Sequence, residues 1–184
     1  MVNQMKAVDL KGRIRDRLIA DMIAFTSDGL KPLNTLCRAA AMSLGYDVST
    51  VTVRLGHTVF CVGRYGSDVK QFEVLENPTI LAPSESLDEV VESINPDVDF
   101  PGQTPDGKLL AGRKYWLAAP ISIEGMLIAR FNFNHHSTID EPASERVKGI
   151  TKDFASVAGT IMNSHRLLKM HVRQTFEALE ALDH

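Results

Sequence analysis

The side chains best equipped for chemistry fall in one stretch, Arg113 to His135, with His136 just beyond it. Tyr115 and Trp116 supply aromatic surface, and Arg130 supplies a planar cation able to clamp an anion. Asn132 and Asn134 each bring a donor and an acceptor on one amide. A cavity for a planar small molecule needs this mixture: apolar walls and a few polar groups that fix orientation. Asn132 and Asn134 share a face of any strand that carries them. The adjacent Tyr115 and Trp116 point to opposite sides, so only one of them can face the same cavity. Tyr115, Trp116, Arg130, Asn132 and Asn134 are therefore the candidate ligand-binding residues.

The competing chemistry is metal or acid–base work at His135-His136. Adjacent residues at a strand end diverge, and no Cys, Asp or Glu is spaced to complete a tetrahedral set, so no metal is expected. Cys37 and Cys61 form neither a disulfide framework nor a metal-ligand spacing. Cys37 falls on the apolar face of a helix and reads as a buried structural thiol. No Gly-rich phosphate loop precedes a helix, and no Gly-x-Ser-x-Gly elbow occurs. No catalytic residue is assigned and no cofactor follows from the sequence. An enzyme using the His135/His136 region stands as a third alternative.

The elements that must hold the candidate residues are legible around them. Tyr115–Ile123 and Met126–Phe133 are apolar runs of strand length joined by Glu124-Gly125, which predicts a hairpin. Strict alternation places Tyr115, Leu117, Ala119, Ile121 and Ile123 on one face. Leu127, Ala129, Phe131 and Phe133 alternate in the partner strand. Both faces carry apolar residues, so the hairpin is expected to be central. Upstream, an amphipathic helix runs to Phe25 and a second from Pro32 to Gly45. Strands follow at Val48–Leu55, Thr58–Val62 and Val69–Leu75. A proline-rich segment, Glu76 to Gly112, contains a short helix over Leu87 to Ile94, capped by Ser86 and Glu89. The last helix is expected from Pro142, capped by Thr138 and Glu141, to about Leu182. Its apolar stripe continues past Asn163 as Leu167, Leu168, Val172, Phe176, Leu179 and Leu182. An apolar stripe that outlasts its own domain needs a partner.

The order of these elements, with Leu-Ala-Ala-Pro-Ile, a short glycine turn, Leu-Ile-Ala-Arg-Phe-Asn-Phe, a polar loop and a long helix, resembles the end of a GAF domain. The resemblance covers roughly Leu18 to Lys169. It implies an α+β fold with a central antiparallel sheet of about five to six strands. Terminal helices would pack on one face, and lid loops with a short helix on the other. The resemblance further implies a small-molecule sensory or regulatory module, with the ligand held beneath the lid. Departures narrow it. The lid region has no cysteine for sulfoxide reduction or bilin attachment and no histidine for haem, and the cyclic-nucleotide pattern of the family is missing.

The expected organisation is an N-terminal helix over residues 1–26 for dimerisation or signalling, a GAF-like domain over 27–168, and a helical extension over 169–184. The expected partners are a second copy of the chain, an unknown small-molecule ligand and a separate signalling output protein. The alternative is a dimerisation scaffold whose pocket is filled. A formal net charge of -3 advertises no nucleic-acid partner. No apolar run spans a bilayer and no signal-peptide core is present, so a cytoplasmic location is expected and no membrane partner.

Overall fold

The computed structural model describes residues 12–21, 31–55, 58–67, 74–75, 89–96 and 113–181. Residues 12–21 form helix α1, and Lys31–Leu44 form α2. The strands are β1 (Val48–Leu55), β2 (Thr58–Tyr65), β3 (Val74–Leu75), β4 (Val91–Ser93), β5 (Tyr115–Ile123) and β6 (Met126–His135). Helix α3 runs over Glu145–Glu180. The strands build one six-stranded sheet in the order β3-β2-β1-β6-β5-β4, with every described pairing antiparallel. The β5–β6 hairpin is thus central, β6 lying between β5 and β1.

One face of the sheet carries the hydrophobic core. Tyr115, Leu117, Ala119 and Ile121 of β5 join Ala129, Phe131 and Phe133 of β6 and Val51 and Val53 of β1. Leu18 and Ile19 of α1, Leu33, Cys37 and Ala40 of α2, and Ala155, Ala158 and Met162 of α3 pack against them. The stacked rings of Phe131 and Phe133 stand 4.7 Å apart. Burying one such side chain contributes on the order of 2–3 kcal/mol. Ser49 Oγ donates to the Cys37 carbonyl at 2.7 Å, tying β1 to α2. Helix α2 packs tightly over Gly63, since a Cβ there would sit 2.8 Å from Leu33 Cβ. Strand β2 continues past the end expected at Val62, with Gly63, Arg64 and Tyr65 paired to Val51, Thr50 and Ser49 of β1.

The hairpin turn has positive φ at both connecting residues, 53° at Glu124 and 71° at Gly125. This is the sign pattern of a type I′ turn, whose twist matches that of the strands. Glu124 is held there from outside the hairpin: its carboxylate accepts from Arg166 Nη2 of α3. The alternation expected in β6 breaks at one place. Ile121 pairs with Ala129 but Ser122 pairs with Leu127, so Ile128 is an extra residue in a bulge. Leu127 therefore shares the far face with Ser122, while Met126 packs toward the core.

Two boundary expectations are corrected. Within the helix expected over Leu87 to Ile94, Val91–Ser93 form strand β4, paired with Trp116, Leu117 and Ala118, while residues 87–88 lie outside the described residues. Pairing wins because Val91 and Ser93 enter the sheet while Glu92 finds several partners on the core side. The last helix starts at Glu145, not Pro142, with Ser144 as its N-cap accepting from Val147 N at 3.3 Å. The strand expected over Val69–Leu75 is seen at its end, and residues 68–73 lie outside the described residues, as do Leu182 and most of the expected lid.

Candidate ligand-binding face

Helices α1, α2 and α3 all pack on the core face, and the second face of the sheet is polar and buried. It is built in rows by register: Trp116 beside Asn134 beside Val48, Ala118 beside Asn132 beside Thr50, and Pro120 beside Arg130 beside Thr52. Trp116, Asn132, Asn134 and Thr50 are 0% exposed, and Thr52 and Arg130 are 3% exposed. The structure brings four of the five candidate residues, Trp116, Arg130, Asn132 and Asn134, onto this one face. Tyr115 is not with them. It lies on the core face, where its hydroxyl donates to Glu92 Oε1 at 2.8 Å and its ring stacks on Tyr46. Burial beside the Glu92 carboxylate pushes the Tyr115 phenol far above its ordinary pKa.

The two asparagines have different fates. Asn132 Oδ1 accepts from Trp116 Nε1 at 3.2 Å. Its Nδ2 donates to Thr52 Oγ1 at 3.0 Å and toward the Thr50 and Arg130 carbonyls at 3.3 Å. The Asn132 amide is therefore spent on holding the indole against β1. Neither Nδ2 nor Oδ1 of Asn134 has a hydrogen-bond partner among the described residues, and the same is true of Thr50 Oγ1. Leaving a buried polar group unsatisfied costs about 1–3 kcal/mol. Arg130 is held below its ordinary guanidinium pKa by burial, which the charge of Glu89 partly offsets.

Thr50 and Glu92 did not figure among the sequence candidates. Thr50 alternates with apolar neighbours as any half-buried strand residue would, and only the pairing with Asn132 reveals its place. Glu92 joins the candidate face to the helices. Its carboxylate accepts from Tyr115 and from Ala143 N, just before α3, and pairs with Lys148 Nζ at 3.3 Å. Its neighbours Val91 and Ser93 pair with Ala118 and Trp116 on the candidate face.

The histidine pair is structurally engaged. Asp47 Oδ2 accepts from the His136 backbone N–H at 2.9 Å and faces His135 Nδ1 at 3.3 Å. These contacts, the backbone bond first, hold the Asp47 carboxyl below its ordinary pKa. The His136 ring takes a hydrogen bond from Arg113 Nη1. Among the described residues no three His, Cys, Asp or Glu side chains converge as a metal site. Cys37 is 0% exposed, and burial pushes its thiol up to about 12. A cleft of about 410 Å³ lies elsewhere, between the end of β5 and α3, lined by Ser122, Glu124, Lys152, Ser156, Thr160 and Asn163. None of the five candidate residues lines it. Among the described residues no helix is long and apolar enough to cross a membrane.

No protein-family model matches this sequence. No curated protein matches it either. Solved structures do, and they define the fold as that of GAF domains. The GAF domain of PixJ from Thermosynechococcus elongatus, in its blue-light absorbing form, is similar with a TM-score of 0.63 and 14% identity over 82% of this chain and 94% of that one. Residues 122 to 287 of a methyl-accepting chemotaxis protein give 0.62 and 18% over 82% and 98%. The type II free methionine-R-sulfoxide reductase from Thermoplasma acidophilum gives 0.56 and 10% over 74% and 94%. One fold thus serves a blue-light absorbing domain, a segment of a chemotaxis protein and a reductase. Function must be argued from the site.

Proposed function

We propose that this chain is a sensory or regulatory module that holds a small molecule against the second face of its sheet and works as a dimer through its terminal helices. The observation that carries this reading is the buried polar bed of Trp116, Asn132, Asn134 and Thr50, with three polar atoms unpartnered among the described residues. A filled scaffold has no use for such atoms, since an apolar face would be cheaper to bury.

The dimer reading rests on α3. Leu167, Leu168, Val172, Phe176 and Leu179 are between 42% and 63% exposed on a single chain. Helix α1 runs beside this part of α3, sharing a groove lined by Arg17, Asp21, Met170 and Arg173. Yet Ile14 of α1 and the α3 stripe stay exposed, so an intramolecular hairpin does not bury them. A second copy fits the stripe. Lys169 and Arg173 are followed by Glu177 and Glu180, giving the stripe both signs of charge with which to meet itself. Ligand binding would reach this interface through Glu92, which connects β4 to Ala143 and Lys148 at the start of α3.

The sequence contains one tryptophan, so Trp116 reports on the proposed face alone. The expected result is a change in its emission when the purified protein is titrated with the low-molecular-weight fraction of a cell extract, reversed by dialysis. Emission unaltered at saturating extract would count against a ligand on this face.

A further inference from the structure

The unpartnered atoms also say what kind of molecule would be recognised. Asn134 follows Asn132 on the same face of β6, and Thr50 of β1 sits directly beside Asn132. The Asn134 amide and the Thr50 hydroxyl therefore line neighbouring rows of one surface, each 0% exposed and each without a hydrogen-bond partner among the described residues. Trp116, paired with Asn134, closes the third side of this patch with its indole N–H already given to Asn132.

A primary amide offers one acceptor and two donors side by side, and a threonine hydroxyl offers both roles. The group that satisfies an amide edge most fully is another amide in the cis arrangement, whose N–H and C=O run parallel and return one bond each. An ionised carboxylate or phosphate would pair with Nδ2 but would face the Asn134 oxygen with a second lone pair. Arg130 lies two same-face positions further along β6, about 13 Å away along an extended strand. Arg64, which shares this face beside Thr50, donates from Nη1 to the Ser67 carbonyl at 3.0 Å. Neither arginine is paired with Asn134 in the sheet. We infer that Asn134 and Thr50 form a recognition subsite for the cis-amide edge of a neutral planar ligand, a lactam, imide or ring carboxamide, with the Trp116 indole as its apolar wall. This inference rests on the ligand-binding reading above and narrows it to a chemical class.

The test uses the full chain labelled with ¹⁵N and two probes, 2-pyridone and N-methyl-2-pyridone. They share a ring and a carbonyl, but only the first keeps the amide N–H. The Asn134→Leu variant, of similar volume, identifies the Asn134 side-chain signal by its loss. Thr50→Val keeps the β-branched shape and serves as a second variant should the first fold poorly. The expected result is that 2-pyridone shifts both the Asn134 amide and the single indole signal. N-methylation should weaken its binding about tenfold or more, because a site built for an N–H leaves its acceptor unpaired against the methyl compound. Asn134→Leu and Thr50→Val should each weaken 2-pyridone likewise. Equal binding of both probes, or binding unaltered in both variants, would overturn the amide subsite while leaving a ligand on this face intact. Absence of any shift with either probe would also overturn it, and the tryptophan titration would then decide whether the face binds anything else.

Discussion

Two asparagines that look interchangeable in the sequence are opposite in their chemistry. Asn132 is saturated by the Trp116 indole, the Thr52 hydroxyl and backbone carbonyls, and so it positions the wall of the proposed site. Asn134 keeps its amide unspent among the described residues. Alternation showed that the two share a face, because strand periodicity is local. It could not show which is spent, because their neighbours on β1 are set by a pairing about eighty residues away in sequence. Asn132→Leu strips the indole N–H and Thr52 of their Asn132 partner, and we expect it to destabilise the protein by about 1–3 kcal/mol. Urea unfolding followed by circular dichroism checks this, and an unmoved midpoint would show that the Asn132 network contributes nothing to stability.

At the scale of elements, the strongly patterned pieces were readable and the contingent ones were not. The hairpin, α2 and β1 follow from periodicity, and the turn at Glu124-Gly125 follows from its glycine. The Ile128 bulge left no mark in an unbroken apolar run, so the face of Leu127 was misread. Strand β4 was misread because Ser86 and Glu89 mimic a capping box, whereas the fate of Glu92 depends on Tyr115, Ala143 and Lys148, all distant in sequence. The apolar stripe of α3 was legible, and the structure leaves Leu167 to Leu179 exposed in one chain. A chain ending after Leu168 retains the buried contacts of Thr151 to Met162 and the Arg166–Glu124 pair, and should fold. Sedimentation equilibrium should find it monomeric at concentrations where the full chain is dimeric. A truncated chain that associates as strongly as the full one would remove α3 from the interface.

At the scale of the whole molecule, the described residues build a sheet with two unlike faces. One is an apolar core under three helices, and the other is a polar surface buried to within 3% at Trp116, Arg130, Asn132 and Asn134. Glu92 of β4 pairs with Lys148 near the start of the helix that carries the exposed stripe. In the proposed function this is the route by which a ligand on one face would bias contacts at the other. The central claim is that this protein is a ligand-holding dimer. Native mass spectrometry of the protein as purified, followed by a denatured run of the same sample, tests both halves at once. The account predicts a species of twice the chain mass, plus a small-molecule mass that disappears on denaturation. A bare monomer in the native spectrum, without added mass at any protein concentration, would contradict it.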